Sequence, residues 1–159
     1  MISQTVAQAQ MKILANYAQR TFVLVQPLFE RNDSGYVLKQ RIYVDDHFFY
    51  PDQAIIGSPL KEKLNDYNYL SEEKMVRAQC YGHTVSMASA NKELQRYPGA
   101  VSWNSCVTGI SGLAGLDDHC LNIGMRHRYG SFDLRIAFLL AGEDHEERLK
   151  KFLDKLPRL

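Results

Sequence analysis

Residues 99–130 (GAVSWNSCVTGISGLAGLDDHCLNIGMRHRYG) gather more chemistry-bearing side chains than any other stretch of this chain. They hold the single Trp, Trp103, and two of the three Cys, Cys106 and Cys120. They also hold two of the five His, His119 and His127, and six of the ten Gly. Packing alone has little use for so many unusual groups beside so much flexible backbone, so a functional site is expected here.

Two chemistries fit these residues. In an extended segment Arg126 and Arg128 share one face and His127 points to the other. Two guanidiniums about 7 Å apart on a strand can grip a phosphate or carboxylate as paired forks. Arg135 on a following strand would join them, and Trp103 with Asn104 would add stacking surface and an amide. The other chemistry is nucleophilic. Cys106 would need a base, His83 or His119, and an orienting acid, Asp117 or Asp118, which together describe a hydrolase or transferase.

Two further patterns carry less. Asp117-Asp118-His119-Cys120 holds several metal-ligating types. Zinc draws its ligands from tetrahedral directions, and four adjacent residues rarely reach one ion. No metal and no cofactor is expected. The run Gly109-x-x-Gly112-x-x-Gly115 invites comparison with phosphate-cradling turns, which aim backbone N–H groups and a helix N-terminus at the anion. The following LDDHCLNIGMRH reads as a turn and then a strand, so no helix start is expected and no nucleotide cradle with it.

The elements that would position these groups follow from periodicity. Ile2, Val6, Ala9, Ile13 and Tyr17 recur at helical spacing. Thr21 to Arg31 and Tyr36 to Val44 read as strands, joined by a hairpin turn at Asn32-Asp33-Ser34-Gly35. Pro27 removes a ladder donor and places the first of these strands at an edge, which would also allow homo-oligomers there. Residues 45–70 lack a clean period but carry Phe48, Phe49, Tyr50, Tyr67 and Tyr69, a candidate lid, with a short helix after Pro59.

Ser71 caps the next expected helix, whose stripe is Val76, Cys80, His83, Met87, Ala90 and Leu94. Leu121 to Tyr129 and Phe132 to Leu140 alternate as strands around a second turn at Gly130-Ser131. A final helix buries Leu149, Phe152, Leu153 and Leu156. The expected fold is a single α+β domain over 1–159 in the order α-β-β-α-β-β-β-α. It has an antiparallel sheet of about five strands in two hairpins, packed by three helices on one face.

Composition bounds the role. The 159 residues are 45% hydrophobic and 23% charged, with a net charge of +1. These values suit a globular, cytoplasmic protein and give no support for gripping duplex nucleic acid. No apolar run approaches the ~20 residues that span a membrane. The expected function is a small binding module. Its site combines the Gly-rich 104–119 loop with the Arg126/Arg128 face, and its ligand is an anionic or aromatic small molecule or a protein partner.

Overall fold

Ala7, Met11, Leu14, Ala18, Phe22 and Val25 repeat at steps of three and four. In the computed structural model, which describes residues 4–44 and 47–159, they form the buried face of helix α1 (Gln4–Val25). The face anticipated from Val6 and Ile13 is the solvent side, where both are about half exposed. Ile2 lies outside the described residues. Thr21 to Arg31 is not a strand. Its β-branched residues favour extension, yet Thr21, Phe22 and Val25 continue the buried helical stripe. The Thr21 hydroxyl, a group able to compete with the helix for backbone partners, donates to the Tyr17 carbonyl at 2.8 Å. Pro27 lies in the short 3-10 turn that follows the helix.

Strand β1 (Gly35–Val44) lies where the alternation places it, but its hairpin partner is the following segment, β2 (His47–Gly57). The two pair antiparallel, with Tyr50 and Pro51 opposite Arg41 alone, between the Gln40–Asp52 and Ile42–Phe49 pairs. Pro51 therefore sits at a bulge on an edge strand, where a missing N–H is tolerated. That irregularity hides the strand in the sequence. The side chains of Phe48, Phe49 and Tyr50 lie outside what is described.

Helix α2 (Leu64–Cys80) begins before Ser71 and ends at a glycine cap. The Gly82 amide bonds to Gln79 O, and the His83 amide reaches back to Ala78 O. This is the paired pattern of a helix closed by a left-handed residue, with Gly82 at φ +65°. His83, Met87 and Leu94 therefore lie beyond α2. Cys80 and Leu94 are exposed, and the buried face is Ser71, Lys74, Met75, Arg77 and Ala78.

Strands β3 (Ala100–Trp103) and β4 (Cys106–Ser111) form the second hairpin, turning on Asn104 and Ser105 at positive φ. The four strands run β2-β1-β4-β3, all antiparallel. The expected strands at 121–129 and 132–140 are helices: α3 (Gly115–Arg128) and α4 (Leu134–Ala141). The turn at Gly130-Ser131 closes α3 with the same paired bonds that close α2, and the Asp133 side chain caps α4 at Ile136 N, 2.9 Å. Helix α5 (Glu146–Lys155) buries Leu149, Phe152 and Leu153 as expected, and Leu156 just beyond it is buried too.

The described residues thus form an α+β arrangement of five α-helices and a four-stranded antiparallel sheet. Helices cover both faces, not one. Tyr36, Leu38 and Ile110 join the large core with α1, α3 and α5. Val107 and Ala100 meet Met75 and Ala78 of α2 on the other face. Gly109 permits that second layer, because a Cβ there would lie 2.6 Å from Met75 Cγ and 2.7 Å from Ser71 O. No described helix is long and apolar enough to cross a membrane.

Candidate functional site

Helix α3 carries polar residues at 118, 122 and 126, one turn apart, and all are buried. An i, i+4 row lies along one helix face, and this row faces the sheet. Asp118 accepts from Lys74 Nζ at 2.9 Å and from the Leu113 amide. Asn122 donates to the carbonyls of Gly99 and Thr108 and accepts from the Thr108 hydroxyl at 2.8 Å.

Arg126 completes the row. Its guanidinium donates to the carbonyls of Val101, Trp103 and Cys106 and to the hydroxyls of Thr108 and Ser131. This arginine ties α3 to the β3–β4 hairpin and is only 3% exposed. The anticipated strand face shared with Arg128 does not exist, because residues two apart on a helix do not point the same way. Arg128 instead donates to Leu153 O on α5, at 2.9 Å. Arg135 is on α4 and nearly fully exposed.

Several expected site residues do meet. Trp103, Asn104, Cys106 and Arg126 line one recess with Tyr129 and Ser131. Its volume is about 160 Å³, room for only a few waters at about 30 Å³ each. Its cation is already spent on protein acceptors. Burial pushes the Cys106 thiol up, with Arg126 opposing, whereas a nucleophile needs the thiolate.

The two histidines considered as bases have other surroundings. His119 Nε2 lies 3.1 Å from Ala141 O, and burial lowers its pKa to about 4. His83 packs its ring edge-on to Tyr81. Asp117 is wholly buried and holds Arg148 and the Glu30 amide. Successive helical residues turn about 100° apart, so the residues 117–120 lead to separate partners rather than to one ion. No group of three or more metal-ligating side chains converges among the described residues.

A larger cavity opens at the other end of α3. It measures about 570 Å³ and lies between α2, the 111–115 turn and the N-terminus of α3. Strand β4, the turn Gly112-Leu113-Ala114 and α3 form the strand–turn–helix sequence that the misread strand concealed. Gly112 takes φ +135° and packs on Tyr36 and Gly35, where a Cβ would come within 2.9 Å of backbone atoms. Lys74 and Asp118 line the cavity as a buried pair, and Lys74 also donates to Ile110 O at 2.8 Å. Burial raises the Asp118 carboxyl well above the ordinary carboxylate range, with Lys74 and the Leu113 amide pulling it back.

The remaining wall is basic and aromatic. Arg31, Lys63 and Lys92 supply charge, and Tyr67 and Tyr97 supply rings. Four cations line the cavity against two carboxylates, Asp66 and Asp118. Arg77 positions part of this wall. It is buried, pairs with Glu73, and donates to Ser86 O, to the Ser89 hydroxyl and to Tyr97 O, which pins the 86–97 segment to α2.

Sequence reasoning reached Tyr67 through the aromatic segment and reached Gly112, Gly115 and Asp118 through the glycine-rich stretch. It missed Arg31, Lys63, Lys74 and Lys92. For Lys74 a signal was present: Ser71 and Lys74 share a helix face with Met75 and Ala78. Compared with protein families, characterised proteins and solved structures, the chain matches none.

Proposed function

We propose that the protein binds a small anionic, ring-bearing molecule in the cleft between α2 and the 111–115 turn. The observation that carries this reading is the β4–glycine turn–α3 sequence opening into a cavity walled by Arg31, Lys63 and Lys92. A helix N-terminus presents unpaired N–H groups and the positive end of its dipole, so an anion placed there is favoured. Asp117 and Asp118 occupy the first turn of α3, but Arg148 and Lys74 neutralise them. Lys63 and Lys92, exposed on the rim, therefore remain to meet the ligand, while Arg31 is shared with Asp33 and Gly112 O. Lys74 has three donors and two protein acceptors, which leaves one N–H for an occupant. Tyr67, Tyr97, Leu70 and Leu113 offer an apolar seat for a ring. The volume falls in the range of about 300–1,000 Å³ typical of small-molecule sites.

Titration calorimetry with AMP, and with adenosine and inorganic phosphate as its two halves, tests the reading. AMP is expected to bind at least about tenfold tighter than either half, a difference of about 1.4 kcal/mol. The double substitution Lys63→Gln/Lys92→Gln should remove that advantage while leaving the thermal midpoint unchanged, since both side chains are exposed. Equal or absent binding of all three probes would overturn it.

A further inference from the structure

Another concavity, about 630 Å³, lies between α4, α5 and the C-terminal end of α3, the end opposite the cleft. Its apolar surface comes from Leu134, Phe138, Leu153 and Leu159. Leu134 and Leu159 are about half exposed. Single exposed leucines need no explanation, but here four apolar side chains share one groove with three cations. Those cations are Arg128, Lys150 and Arg158, and the only acidic side chain among the lining residues is that of Asp154. Lys150 Nζ lies 5.6 Å from the centre of the Phe138 ring, so charge and apolar surface are adjacent rather than segregated.

Arg128 adds an independent observation. Its Nη2 donates to Leu153 O, but its Nε is buried with no acceptor among the described residues. A buried donor left unpaired costs about 1–3 kcal/mol, and native structures seldom leave one so. A carboxylate in the groove would face the Arg128 guanidinium, a cation whose planar fork favours such a partner.

We propose that this groove is a docking site for an acidic amphipathic helix of a protein partner, distinct from the small-molecule cleft. The occupant places leucine-like side chains against Phe138 and Leu153 and carboxylates against Arg128, Lys150 and Arg158. This is the helix-in-groove mode, in which apolar anchors supply affinity and flanking charge supplies orientation. A nucleic acid would leave the apolar half of the groove unmatched. A membrane would meet a concave wall instead of a protruding apolar face.

The test uses a fluorescein-labelled 16-residue peptide with Leu at helical i, i+3, i+4 spacing and Glu elsewhere, read by anisotropy. Matched peptides carry Lys for Glu or Ser for Leu, and vesicles of phosphatidylserine and phosphatidylcholine form a fourth arm. The Glu/Leu peptide is expected to saturate the protein at least about tenfold tighter than either matched peptide. Lys150→Glu and Leu134→Glu, both at exposed positions, should each weaken it at least about fivefold. Lys63→Gln/Lys92→Gln at the cleft should leave it unchanged. Overturning results are equal affinity for the Ser or Lys peptide, binding indifferent to both groove substitutions, no peptide binding, or binding to vesicles alone.

Discussion

The two ends of helix α3 each hold a buried cation against the sheet, and they use it differently. At the C-terminal end Arg126 spends its donors on three backbone carbonyls and two hydroxyls, with no carboxylate among them. Its position near the negative end of the helix dipole favours a cation there. At the N-terminal end Lys74 meets one carbonyl and one carboxylate, and Lys63 and Lys92 stand exposed on the cavity wall beyond it. The sequence advertises the first end, with its Arg-His-Arg run, and conceals the second. Counting charges in a motif therefore misleads; what matters is whether a cation's donors are already satisfied.

The largest expected effect breaks the comparison at Arg126. Arg126→Met removes charge-assisted bonds to the carbonyls of Val101, Trp103 and Cys106, each worth about 1.5–3 kcal/mol, and should destabilise the fold by at least about 4 kcal/mol. Lys74→Met should cost a comparable amount near pH 7, about 3–5 kcal/mol, because it abandons a buried carboxylate. The two differ in pH dependence. Asp118 can relieve its own burial by taking a proton, so the cost of Lys74→Met should shrink as pH falls. The carbonyls that lose Arg126 do not titrate, so the cost of Arg126→Met should stay flat. Urea unfolding of both variants at pH 5 and pH 8 makes the measurement. Parallel pH curves for the two would show that Asp118 stays charged without Lys74.

That inward polar row also explains how much of the fold was legible. Strand β1 and helix α5 show clean periods because each buries apolar residues at the spacing its geometry demands. Helix α3 does not. With Asp118, Asn122 and Arg126 turned to the sheet, Leu121, Ile123 and Met125 alternate with polar neighbours and imitate a strand. Once α3 is taken for a strand, Gly112 and Gly115 lose the helix that gives them meaning, and the cleft disappears from view. Helix α2 was displaced for a related reason: its buried face includes Lys74 and Arg77, which any apolar count assigns to solvent. The Tyr81-Gly82 stop was readable, but an apolar recurrence through Met87 and Leu94 ran across it.

A smaller effect tests whether the row's neighbour His119 is as buried as Asp118. Burial lowers the His119 pKa from its ordinary 6.5 to about 4, with the nearby His145 adding to the fall. The folded state therefore binds fewer protons than the unfolded chain between these values. Stability is fully present above pH 6.5 and is lost as pH falls toward 4, by about 3 kcal/mol over the interval. Asp118 acts with the opposite sign. Its raised pKa gives stability that is present at low pH and lost as pH rises. His119→Gln, which keeps a donor for Ala141 O, should flatten the acid limb of the stability profile. Asp118→Asn should steepen it. An unchanged acid limb in His119→Gln would mean that the imidazole protonates in the folded protein.

The smallest effect uses the one feature that the ends of α2 and α3 share. Both helices close with the same paired amide bonds, at Gly82 and at Gly130, with φ of +65° and +91°. A Cβ added at either glycine meets nothing within 4 Å. Packing therefore contributes nothing to the cost of an alanine, and only the strain of a left-handed L-residue remains, about 1–2 kcal/mol. Gly82→Ala and Gly130→Ala should each lower stability by an amount of this order. The comparison between the two ends sharpens if they do not match. Ser131, which follows Gly130, receives an Nε–H bond from Arg126 at 2.9 Å, and its own amide donates to Arg126 O. Gly82 is followed by His83, which has no such tie to a buried cation. A larger loss in Gly130→Ala would show that the cap of α3 also holds the Arg126 network in place. An equal loss would confine that network to the row and the hairpin it grips.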